Sequence, residues 1–288
     1  MASSHPIVFF SASAAPALLT HRPSSSKFRM RSSVPFLACA LFAVLAPGAV
    51  AQPISGFGGL TGDADFLYFA GRPDEAYHLL QKHLETGPHD YDVLWRAARA
   101  AVVQGVAVEG VEPQNEWLDP AIVLGDRAVA ERPDGIDGIY WRGAAAGRRA
   151  LNAGPGYAAE LAQRVYDDAN AILAVDPAHG GAHNLLGKLN YEVMSLSAVE
   201  RFVGRVFIRK QALRDSSWEA AEVHLRAAAE SWPDFILFQF DLAQLYRKRG
   251  RDDEARAALR HVTEMTPVHP LDASFQDDAR RFLEELES

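Results

Sequence analysis

The chain has 288 residues, 48% of them hydrophobic and 23% charged, with 29 Lys+Arg against 37 Asp+Glu and a formal net charge of −8. That composition belongs to a folded globular chain and excludes a disordered one. The acidic balance argues against nucleic acid as the main partner, because phosphate backbones bind clustered positive charge. Cys39 is the only cysteine, so no disulfide can form within the chain.

Residues 1–51 contain no Asp or Glu. They carry Arg22, Lys27, Arg29 and Arg31, then an apolar run over residues 34–45, then Ala49-Val50-Ala51. A basic segment, a short apolar core and an Ala-x-Ala site make a secretory signal, with cleavage before Gln52. Met30 makes a more ordinary start for such a signal, which leaves residues 1–29 as either a mis-set start or an unstructured extension. The run is too short for a membrane span. The residues before Cys39, Pro35-Phe36-Leu37-Ala38, suit a lipid-attachment site poorly. An exported protein, periplasmic or secreted, is the expectation; the competing reading of this Ser-rich, Arg-containing segment is an organelle-targeting peptide. Without the leader's four basic residues the chain keeps 25 Lys+Arg against 37 Asp+Glu, a net charge of −12.

Residues 52–62 (QPISGFGGLTG) are glycine-rich and read as a flexible lead-in. A repeat domain over residues 63–288 follows. Its first unit is marked by Ala64, Leu67, Gly71, Ala76, Leu80 and Pro88. The second has Leu94, Trp95, Ala98 and Ala101 in one helix ending near Gly105, and Ala121, Leu124 and Ala128 in another stopped by Pro133. Between them an insertion includes Asp119-Pro120, which suits an N-cap followed by proline at the first helical position. The third unit, residues 136–177, pairs Tyr140, Gly143 and Ala146 with Val165, Ala169 and Ile172; the run 152–156 predicts a long hairpin loop. The fourth, residues 180–233, pairs His183, Leu186, Gly187 and Tyr191 with Trp218, Ala221, Leu225 and Ala228, around a long insertion at residues 193–217. The fifth, residues 236–267, is the cleanest. Leu242, Ala243 and Tyr246 make one apolar stripe, Gly250 ends it, Asp252 and Asp253 open the next helix, and Ala255 and Leu259 form a second stripe that Pro267 stops. Gly71, Ala76 and Pro88 keep the spacing of Gly250, Ala255 and Pro267. This is the tetratricopeptide pattern of ~34 residues. Residues 272–286 close the chain as a capping helix with Phe275, Phe282 and Leu286 inward. The fold class expected is all-α, about ten to twelve helices stacked as hairpins into a superhelical solenoid.

In the fourth unit, residues 183–202 (HNLLGKLNYEVMSLSAVERF) carry Leu186-Gly187, Tyr191-Glu192-Val193, Leu196-Ser197 and Glu200-Arg201. With Leu94-Trp95-Arg96, Ala98-Arg99 and the hairpin from Ala64-Asp65 to Ala76-Tyr77, this segment resembles the regulator of microtubule dynamics proteins. The resemblance runs over residues 63–286 and implies a tetratricopeptide-like fold with an interaction role. Animal members are associated with microtubules, mitochondria and organelle contacts and usually carry a membrane anchor, where this chain has a cleavable signal. An intracellular organelle-tethering or microtubule-associated adaptor is therefore the alternative to an exported scaffold.

The first helix of each hairpin lines the concave face. In the phase set above, Trp95, Arg99, Tyr140, Arg148, Asn184, Lys188, Tyr191 and Arg247 face that groove, where they would grip the carbonyls or carboxylate of an acidic or C-terminal peptide. The alternative is that several merely solvate a helix face or pair with neighbouring acids. The segment from Phe202 to Ile208, whose apolar residues are interspersed and flanked by Glu200, Arg201, Arg205, Arg209 and Lys210, either meets a membrane or partner or packs over the superhelix; the second is favoured, because long insertions need somewhere to bury apolar residues. Ten histidines invite a metal, but His179 and His183 straddle a helix start and no recognised ligand pattern occurs. No nucleophile elbow, P-loop or dinucleotide fingerprint is present. The reading is a non-catalytic protein- or peptide-binding scaffold with no cofactor or metal.

Overall fold

The computed structural model describes residues 59–198, 201 and 210–287. The leader, Cys39, most of the lead-in and the segment from Phe202 to Ile208 lie outside these. Twelve helices have described bounds: α1 (Gly59–Phe69), α2 (Pro73–Thr86), α3 (Tyr91–Ala107), α4 (Val111–Glu131), α5 (Ile136–Ala150), α6 (Pro155–Val175), α7 (Gly180–Ser195), α8 (Gln211–Arg214), α9 (Trp218–Ser231), α10 (Ile236–Lys248), α11 (Asp252–Glu264) and α12 (Asp272–Glu287). No strand occurs among the described residues. The hairpins are α1–α2, α3–α4, α5–α6, α7–α9 and α10–α11, each packed on the next, with α12 on the last. This is an all-α solenoid.

The spacing of small and large residues explains the close stacking. Ala97, Ala98, Ala100 and Ala101 of α3 are all fully buried, so neighbouring helices reach its backbone from several sides. In α11 only Ala255, Leu259 and Val262 are buried, one stripe at four- and three-residue spacing on an otherwise charged helix. Burying Leu259 contributes about 2 kcal/mol. Between α7 and α9 the approach requires glycine: a Cβ on Gly187 would stand 2.6 Å from Cγ of Leu225 and 3.0 Å from its backbone nitrogen.

The two matched glycines make the same cap. Gly71 and Gly250 have φ of 76° and 68°, in the left-handed region where an L side chain is strained. The Gly71 N–H donates to the Tyr68 carbonyl and the Arg72 N–H to Leu67, both at 3.0 Å; the Gly250 N–H donates to Arg247 (3.1 Å) and the Arg251 N–H to Tyr246 (2.9 Å). After each glycine an arginine pairs with the glutamate three residues on, Arg72 with Glu75 and Arg251 with Glu254. One local device thus turns the first and the fifth hairpin.

Several boundaries differ from the sequence expectation. Helix α1 begins at Gly59, inside the expected lead-in. Helix α3 does end near Gly105, at Ala107, but the glycine serves packing instead of a cap: a Cβ there would meet Leu118 and Trp117 of α4 at 3.1 Å. Asp119-Pro120 does not start a helix but lies inside α4, where the Asp119 carboxylate accepts from Arg149 Nε at 2.7 Å. The hairpin loop of the third unit is short, since Pro155 is already the first residue of α6. The Asn152 side-chain amide donates to Gln114 Oε1 (2.9 Å) and Asn115 Oδ1 (3.2 Å) of α4, fastening that turn. Within the long insertion, α7 runs on to Ser195, and Ala212 and Leu213 of α8 are buried in the main core.

Candidate ligand chamber

The first helices of the hairpins face inward, and the superhelix closes on itself. Leu271, in the connection from α11 to α12, packs against Tyr68, Ala76, Ala100 and Val103 at the opposite end of the chain. Nearby, the His269 ring lies 5.7 Å from Phe69 and 4.3 Å from Phe235. The concave groove is therefore a chamber. Its volume, counting the open mouth, is about 1110 Å³. The walls are mostly apolar, with Val102, Val106, Leu185, Leu189, Leu237 and Phe275 among them.

One pole is polar. Lys188 Nζ lies 3.1 Å from Asp241 Oδ1, 3.5 Å from Glu192 Oε1 and 3.3 Å from Gln244 Oε1. The other Asp241 oxygen accepts from the Asn184 amide at 2.9 Å. Spacing builds this cluster: Asn184, Lys188 and Glu192 follow one another at four-residue steps on α7, sharing a face that meets α10. Burial works against the Lys188 charge, but Asp241 and Glu192 outweigh it and hold the ammonium above its usual range. Burial pushes the Glu192 carboxyl up against the pull of Lys188. The ammonium stays charged, and the shorter contact makes Asp241, not Glu192, its main counter-ion. Burial also pushes the Tyr140 hydroxyl up, so it stays neutral.

Arg148 differs from its neighbours. It lines the same chamber from α5, and its guanidinium makes no ion pair or hydrogen bond among the described residues. Its field reaches Tyr140, Lys188 and Glu192. A part-buried guanidinium with five donors and no hydrogen-bond partner among the described residues has the chemistry to take a carboxylate or similar anion. Among the described residues no serine, threonine or cysteine lines the chamber, and no group of three His, Cys, Asp or Glu is placed to hold a metal. His179 accepts from the Ala182 N–H at 3.0 Å, capping α7.

Of the eight residues assigned to the groove from sequence, Tyr140, Arg148, Asn184 and Lys188 line the chamber. The other four lie outside its lining. Trp95 is buried and donates to Asp92 at 3.1 Å. Arg99 is buried, pairs with Asp65 of α1 and stacks 3.9 Å from the Tyr68 ring. Tyr191 sits beneath Lys188, 4.9 Å away, and against Trp218. Arg247 pairs with Glu285 of α12 and lies 4.1 Å over Phe282. Helices α1 and α12 therefore occupy the space that Arg99 and Arg247 would otherwise offer a ligand. Sequence reasoning missed Glu192 and Asp241, although the four-residue step from Lys188 to Glu192 signals the first. It also missed His269 and Leu271, which no local pattern marks.

Among the described residues no helix is long and apolar enough to cross a membrane. A family described as regulator of microtubule dynamics protein 1-3 matches residues 60–287. Among solved structures, a thermophilic TPR protein from Thermus thermophilus is similar with a TM-score of 0.54 and 21% identity, over 77% of this chain and 95% of that one. MamA, residues 41 to the end, from Desulfovibrio magneticus has a TM-score of 0.41 and 16% identity, over 80% of this chain and 98% of that one. The first likeness supports the fold alone, and the second is too loose to add to it. No curated protein matches.

Proposed function

The chain belongs to the regulator of microtubule dynamics protein family, and on that premise we propose that it is a non-catalytic helical-repeat scaffold whose chamber receives an apolar chain ending in a carboxylate. The observation that carries this is Arg148, a guanidinium without a partner among the described residues, set in an apolar wall. A carboxylate there makes charge-assisted, bidentate hydrogen bonds, and apolar segments behind it fill the walls. The C-terminal tail of a protein partner has this chemistry. A second ligand, a long-chain alkanoate, is favoured by one feature: Asn184, Lys188 and Asp241 already satisfy one another. A peptide brings an amide per residue, and each left unpaired costs about 1–3 kcal/mol; an alkanoate brings none.

Calorimetric titration of the purified protein tests both. The probes are a peptide with an apolar free C-terminus, the same peptide amidated, and dodecanoate. Binding of a carboxylate ligand that weakens about 10-fold or more on amidation or in Arg148→Gln is expected, from the ~1.5–3 kcal/mol of a charged hydrogen bond. Equal affinity for acid and amide sinks the reading. Which carboxylate binds tells peptide from alkanoate.

Export belongs to the same proposal. Its support is the acid-free, basic and then apolar leader ending at Ala49-Val50-Ala51. The family's description points instead to microtubules and hence to the cell interior. N-terminal sequencing separates the two: a start at Gln52 in an extracytoplasmic fraction supports export, and an intact leader inside the cell supports the tethering adaptor.

A further inference from the structure

The end-to-end seam of the superhelix is built differently from every joint between hairpins. On one side stand Tyr68 and Phe69 of α1; on the other stands the connection containing His269, Pro270 and Leu271. Apolar contact and ring packing make the seam, and among the described residues no hydrogen bond or ion pair crosses it. The same three connection residues line the chamber, so opening the seam opens the chamber. The connection is also a rigid piece. The Asp272 carboxylate accepts from the Val268 N–H at 2.8 Å and the His269 N–H at 2.7 Å, which fastens it to the start of α12.

We infer that this seam is the door of the chamber, and that His269 is its pH-sensitive latch, holding the ends together when neutral and releasing them when protonated. The inference rests on the chamber being the binding site. The imidazole lies between Phe69 of α1 and Phe235 before α10. The charged groups facing it are Asp272 of α12 and Arg99 of α3, and Arg99 is itself paired with Asp65 of α1. The Tyr68 hydroxyl is the remaining titratable neighbour on α1, kept neutral by burial, which pushes it up to about 12. Burial holds the His269 imidazole below its usual range against the pull of Asp272, and Arg99 adds to the depression. A group whose value is depressed in the closed form favours that form above its ordinary value, about 6.5, and ceases to as pH falls through the depressed one. Opening is therefore favoured as pH falls below about 6.5.

Spin labels on Phe66→Cys and Val268→Cys read the door directly. Both positions are exposed, at 67% and 56%, and flank the seam. The full chain carries Cys39→Ser so that only these sites react. Electron–electron distance measurements at pH 7.5 are expected to give one narrow distribution. At pH 5 a longer component is expected, and it disappears when His269→Phe or His269→Gln is added. A distribution unchanged at pH 5, or a longer component that persists in both His269 variants, overturns the latch. Titration of the same samples with dodecanoate and with the free-C-terminus peptide keeps the two readings apart: a distance change with neither ligand bound supports the latch and removes the chamber reading, while binding of either without a distance change does the reverse.

Discussion

The joint between α7 and α9 and the seam between α1 and the α11–α12 connection are both apolar contacts, but they are held very differently. At the joint, Gly187 lets α9 approach until Leu225, fully buried, fits against the α7 backbone. Polar ties bracket it: the Ser217 N–H donates to Asn190 Oδ1 at 3.1 Å, and His183 Nδ1 meets His224 Nδ1 at 2.9 Å. At the seam, Leu271 is only partly buried and no such tie is present among the described residues. Interdigitated packing is intolerant of added or lost volume, whereas a marginal contact can open without unfolding its neighbours. A repeat protein can thus be stiff along its stack and compliant where its ends meet.

Gly187→Val is the hardest test of the joint. The added side chain must displace Leu225 or the α9 backbone, at about 3 kcal/mol; denaturant unfolding measures it, and a loss below about 1 kcal/mol would mean the helices are less tightly seated. Asp168→Ala comes next. Asp168 is buried and receives Arg142 Nε at 3.0 Å, but Arg142 keeps Asp126 at 3.6 Å and is partly solvated, so about 2 kcal/mol is expected instead of the larger cost of a fully buried pair. Leu271→Ala is predicted to cost about 1 kcal/mol of global stability while speeding amide exchange in α1. A cost equal to that of a core leucine would turn the seam into one more joint.

The smallest effect concerns pH at the joint itself. Burial and then His183 pull the His224 imidazole down to about 4. A depressed value means that this stabilisation is complete above the ordinary imidazole value and is lost as pH falls from about 6.5 towards 4. Allowing for its partial exposure, the loss is on the order of 1 kcal/mol. In His224→Gln the slope of stability against pH over that window should flatten; an unchanged slope would place the acid sensitivity elsewhere.

The fold was largely legible because its signals are local. Gly71 and Gly250 sit at matched distances from Ala76 and Ala255, and the structure gives them matching hydrogen bonds. Where local signals misled, packing overrode them. Asp119-Pro120 has the composition of a helix start, yet α4 continues through it, with Leu118 buried against α3 and Asp119 tied to Arg149 of α5. The inward phase of α5 and α7 put Tyr140, Arg148, Asn184 and Lys188 on one surface, which three- and four-residue spacing suffices to show. It could not show that α1 takes up Arg99 or that α12 takes up Arg247, because those partners come from elements 34 and 38 residues away.

The amino-acid order alone determined the hairpins, the matched glycine caps at Gly71 and Gly250 and the inward phase of α5 and α7 at Tyr140, Arg148, Asn184 and Lys188, since each depends on residues within a turn or two of one another. The tertiary structure decided that the groove closes into a chamber, that Arg148 is left unpaired among the described residues while Lys188 is not, and that His269 meets Phe69. These depend on the curvature accumulated over five hairpins. Small helix-to-helix rotations add along the stack, and only their sum decides whether the last connection reaches the first helix.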